Sequence, residues 1–95
     1  MHCDPLIHIV ATEASPEARD AAQSLSNAQF QAWDMLRGTL APELGGAPRY
    51  LDLIGANYYH DNQWEMPSMA RLHWHLGDRR RKPLHTMLEE LQQRY

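Results

Sequence analysis

The chain has 95 residues, 43% of them hydrophobic, and a formal net charge of −3. That length holds one small domain at most and buries only a modest share of its surface. The acidic balance gives no global attraction to nucleic acid or to an anionic membrane, so neither is expected as a partner. The single cysteine, Cys3, cannot close an internal disulfide, which suits a reducing compartment. Apolar runs are short, so no membrane span is read. Met1 is followed by His2, Cys3 and Asp4 rather than by a basic and then apolar stretch, so no secretory leader is read either. The expected setting is the cytoplasm.

Along the chain, Leu6-Ile7-His8-Ile9-Val10 is short, apolar and rich in β-branched residues, as in a strand or an extended segment leaving one. Residues 11–14 read as a loop. Ser15-Pro16-Glu17 then opens a helix: Ser15 can cap, Pro16 suits the first helical position, and Glu17 favours the positive helix end. Ala18, Ala22, Leu25, Gln29, Ala32, Trp33 and Leu36 recur at helical spacing, interrupted by the polar Gln29, and Gly38 is a natural stop. Ser26-Asn27 can divide this stretch into two helices, with Asn27 capping the second. Trp33 and Phe30 are expected in the core.

Residues 39–49 contain Pro42, Gly45, Gly46 and Pro48 and form a loop. The segment from Leu51 to Tyr59 is apolar on consecutive central positions, as expected of a strand buried on both faces of a parallel sheet. Residues 60–82 show no period and read as a long loop. Pro83 opens a last helix in which Leu84, Met87, Leu88, Leu91 and Tyr95 keep one face apolar. The order strand, helix, strand, loop, helix is a βαβα pattern with parallel strands, so the fold class is α/β. Residues 1–95 carry no internal boundary. Two parallel strands need covering on both faces, and the last helix offers an apolar face with no following strand. The expectation is therefore a partial barrel rather than a self-contained domain.

Three stretches together resemble the family 1 glycoside hydrolases, β-glucosidases and their relatives. The strand Asp52-Leu53-Ile54-Gly55-Ala56-Asn57-Tyr58-Tyr59 is similar to the family's sixth barrel strand with its Asn-Tyr-Tyr ending. The preceding helix, from Pro16-Glu17 through Ala21-Ala22 to Phe30, Trp33 and Gly38, resembles the fifth helix. Pro83-Leu84 through Leu88, Leu91, Arg94 and Tyr95 resembles the sixth. The resemblance implies a fragment of a (β/α)8 TIM barrel, with two parallel strands and two to three helices, from a retaining glycosidase of carbohydrate metabolism.

Such glycosidases need two carboxyl groups about 5–5.5 Å apart, one as nucleophile and one as acid/base. The family carries them on its fourth and seventh strands, outside the stretch this chain resembles. Asp52, Asp61 and Glu65 match neither, so the chain alone is expected to be inactive. Tyr59 matches the family tyrosine that orients the nucleophile, a supporting role in catalysis. Asn57 matches a polar position beside it. His60, Trp64, His2 and Asp4 are candidate substrate-binding residues, because barrel sites lie at the C-terminal ends of the strands. Trp64 serves equally as a sugar platform or as an anchor for its loop. The expected partner is a carbohydrate bound by the full-length parent, with no cofactor.

Other signals carry less. His73-Trp74-His75 with His60 lacks the three or four ligands of a metal centre, and no metal is expected. Arg79-Arg80-Arg81-Lys82 reads as a solvated loop rather than a phosphate site. A different class of function remains in play: a small non-enzymatic binding or interaction module, self-associating through exposed apolar helix faces.

Overall fold

The computed structural model describes residues 1–95 and contains three α-helices and four short strands. The strands are β1 (His2–Pro5), β2 (His8–Ala11), β3 (Ile54–Asn57) and β4 (Gln63–Met66). They form two parallel pairs, β1 with β3 and β2 with β4. Register runs from His2 beside Ile54 to Pro5 beside Asn57, and resumes at His8 beside Gln63. The architecture is a small mixed α/β fold, and its sheets do not close.

Between the two pairs, residues 6 and 7 on one strand face residues 58–62 on the other. Asn62 holds this long bulge together. Its side-chain amide donates to the Leu6 carbonyl at 3.0 Å, and its own carbonyl accepts the His8 N–H at 3.1 Å.

Helix α1 (Pro16–Asn27) starts as its sequence requires: the Ser15 hydroxyl accepts the Ala18 N–H, with Pro16 at the first position. A 3₁₀ turn at Ala28–Phe30 separates it from α2 (Gln31–Arg37). The break falls where expected, but Asn27 does not cap α2. Its Oδ1 accepts the Gln23 side chain instead, one turn back on the same helix. Gly38 ends α2 at φ 92°, where an added Cβ would lie 2.5 Å from the Gly46 carbonyl oxygen, so only glycine fits. Helix α3 (Leu84–Arg94) follows Pro83.

Three expectations need correction. The first strand, expected over Leu6–Val10, is two strands, His2–Pro5 and His8–Ala11, with Leu6 and Ile7 in the bulge between them. The strand expected over residues 51–59 is only Ile54–Asn57, because Pro48–Leu51 forms a 3₁₀ turn. The supposed featureless loop 60–82 holds β4 and a further 3₁₀ turn, Trp74–Leu76. Residue 63, the fully buried position of β4, is a glutamine, so the inward side of the strand shows no apolar signal.

The main core comprises Leu6, Phe30, Trp33, Met87 and Leu91, bordered by Leu51, Ile54, Tyr58 and Tyr95. Helix α3 docks on α2 through polar contacts as well. Arg94 donates to the Asp34 carboxylate at 2.9 Å, and the Tyr95 hydroxyl donates to it at 2.6 Å. No helix is long and apolar enough to cross a membrane.

Candidate functional site

Strands alternate sides, so His2 and Asp4 share one face of the β1–β3 pair while Cys3 and Pro5 share the other. The His2 ring meets Trp33 edge-on at 6.2 Å, which identifies its face as the helix side. Its Nε2 also bonds Asp4. Cys3 lies against Gly55, where an added Cβ would come within 2.9 Å of the Cys3 Cβ. The face with Cys3, Pro5 and Asn57 is exposed. His2 and Asp4 therefore do not join Asn57 on one face, a correction that follows from strand alternation together with the register that sets Asn57 beside Pro5.

Asn57 ends β3 on the open face, and its backbone carbonyl accepts the Leu6 N–H at 2.9 Å. Tyr59 is 61% exposed, and its carbonyl accepts the Asn62 N–H. His60 is also exposed, with its carbonyl held by the Arg81 guanidinium at 2.8 Å. Asn57, Tyr59 and His60 thus lie on one rim at the end of β3, anchored by backbone and with side chains free in solvent. Trp64 is half-buried, and its indole N–H is buried without an acceptor. It lines a shallow cleft of about 240 Å³ with Asp61, Met69 and Arg71.

The network beneath the rim involves the neighbouring tyrosine. The Tyr58 hydroxyl accepts from Gln63 Nε2 at 3.1 Å and from Arg81 at 2.7 Å. Gln63 is fully buried, and its amide brackets Lys82: Nε2 donates to the Lys82 carbonyl and Oε1 accepts the Lys82 N–H, both at 2.8 Å. Arg81 also donates to the Leu72 carbonyl at 2.6 Å. Asn62, Gln63 and Arg81 thus tie together three crossings of the chain. In the sequence Asn62 and Gln63 stand in a polar stretch with no period, so nothing singled them out, and Arg81 was read only as part of the solvated basic run. The basic run is largely absorbed: Arg80 pairs with Asp78 and Glu65, and Lys82 with Glu90.

Two of the nearby carboxyl groups, Glu65 and Asp78, are poorly suited to proton donation. Hydrogen bonds from Ser68 and Arg80 hold the Glu65 carboxyl below the usual range, and Arg80 pulls Asp78 down to about 2. Asp61 is paired with Arg71. A glycosidase acid needs the opposite environment, one that raises its pKa. No group of three or more His, Cys, Asp or Glu side chains converges to hold a metal ion.

Comparison with protein-family models, curated proteins and solved structures returned no match.

Proposed function

We propose that this chain is a sector of a glycosidase-type β/α barrel, supplying Asn57 and Tyr59 to a sugar site whose catalytic carboxylates belong to other strands. The observation that carries the reading is the uneven covering of the β1–β3 pair. Parallel strands in β/α folds are normally buried on both faces, yet here helices cover one face while Cys3, Pro5 and Asn57 lie bare on the other. In a barrel the bare face looks inward, and the ends of the strands, here Pro5 beside Asn57, border the site. The outer edge of β3 supports the same reading, since Ile54 and Ala56 take no backbone partner there. Glu65 and Asp61, engaged by Arg80 and Arg71, are left without a catalytic part.

The test uses aryl glycosides. Residues 1–95 alone should give no turnover. The same residues expressed with the coding sequence on either side should hydrolyse the substrate, and Tyr59→Phe should lower kcat about 10-fold or more. Turnover by residues 1–95 that disappears on changing Glu65 or Asp61 overturns the proposal, and so does an active longer protein indifferent to Tyr59.

A second reading, a non-enzymatic interaction module, rests on the β2–β4 pair. Its edges are already occupied: Gln29 and Ser26 side chains bond the backbone of Ile7 and Ile9, and residues 70–72 bond that of Gln63 and Glu65. Such blunted edges suit a unit that stands by itself. A concentration-dependent dimer with a cooperative melt favours the module, whereas a molten or aggregating chain favours the barrel sector.

A further inference from the structure

The side chains of His73 and His75 take no part in the rim or the network beneath it. Their rings lie 5.3 Å apart, centre to centre, on the exposed turn that follows Leu72. We propose that this pair forms a two-imidazole chelate for a tetrahedral divalent cation of the zinc type.

The spacing carries the argument. A zinc–imidazole bond is about 2.0–2.1 Å, so two imidazoles at a tetrahedral angle place their ring centres roughly 5 Å apart. The backbone that carries the pair is ordered into a turn without metal. The Leu76 N–H donates to the His73 carbonyl at 3.3 Å, and the Gly77 N–H to the Trp74 carbonyl at 3.1 Å. Gly77 closes the turn in the left-handed region at φ 65°. Its entry is fixed too, because Leu72 is buried and its carbonyl is gripped by Arg81. Trp74 meets the His75 ring edge-on at 5.9 Å.

Two imidazole nitrogens select borderline cations such as Zn²⁺ and Co²⁺ over Mg²⁺ or Ca²⁺, which require oxygen ligands. With no third protein ligand converging, two coordination positions stay with water or with a ligand from outside the chain. The site is therefore an open one, weaker than a closed structural zinc centre.

The test is titration of the 95-residue chain with ZnCl₂ by calorimetry and histidine-ring NMR, and with CoCl₂ as a visible-absorption reporter of tetrahedral geometry. Expected are one cation per chain, ring shifts centred on His73 and His75, and about tenfold or greater weakening in each of His73→Ala and His75→Ala. His60→Ala and His85→Ala should leave the affinity unchanged. Circular dichroism of the surface variants separates lost binding from lost fold. Binding that survives His73→Ala or His75→Ala, binding that falls equally with His60→Ala, or no saturable binding below about 1 mM overturns the proposal.

Discussion

Four polar side chains, Ser26, Gln29, Asn62 and Gln63, hold backbone that the sheets leave unpaired. Ser26 both accepts from the Ile9 N–H and donates to the Ile9 carbonyl, at 2.9 and 3.2 Å. Ser26→Ala should cost about 1–3 kcal/mol, because two buried backbone groups lose their partner. Gln63→Leu should cost a similar amount by stranding the Lys82 N–H and carbonyl, and urea unfolding measures both losses. None of this was legible, since serine and glutamine carry no periodic signal and their partners lie 17 or more residues away. His8 adds a pH dependence. Burial, and after it the Lys82 ammonium, holds its imidazole below the ordinary value of about 6.5. The unfolded chain then binds the proton more readily than the folded one. The stability from neutral His8 is complete above about pH 6.5 and is lost as pH falls through the folded value. The urea midpoint should therefore drop between pH 7.5 and 5.5, and by less in His8→Gln.

The elements divide according to how much of their pattern is local. All three helices were readable because Ser15, Pro16, Gly38 and Pro83 mark their ends, and Phe30 and Trp33 were correctly expected in the core. β4 was not readable, because its inward position is filled by Gln63 and its order comes from pairing with β2, more than 50 residues earlier. The site residues divide in a similar way. Asn57 ends β3 and Tyr59 lies two residues beyond it, outside the strand expected to carry it, while placing His2 and Asp4 required the face and register to be known. The loop joining α2 to β3 depends on two glycines. A Cβ on Gly46 would sit 2.0 Å from the Met35 carbonyl oxygen, and Gly38 lies at positive φ. Gly46→Ala and Gly38→Ala should each destabilise by more than about 1 kcal/mol, read as a lower thermal midpoint, whereas Gly45→Ala, with open space around its Cβ, pays only for backbone strain.

At 41 × 28 × 19 Å the molecule is two layers thick, about one sheet and one layer of helices. Its main buried cluster of five residues leaves a long apolar border unsatisfied. Leu53 is 63% exposed and Leu88 42% exposed, and they line one groove with Leu51, Ile54 and Leu91 beside the open edge of β3. Exposed leucines at such a place contribute little to the stability of the isolated chain but favour association. Replacing both by lysine should leave the thermal midpoint of residues 1–95 within a few degrees while reducing self-association in size exclusion. The same pair of lysines should strongly destabilise a longer barrel in which a further strand and helix cover the groove, because each would then bury an unpaired charge. A double variant harmless in both settings would mean that nothing packs against this edge, and the interaction-module reading would gain over the barrel sector.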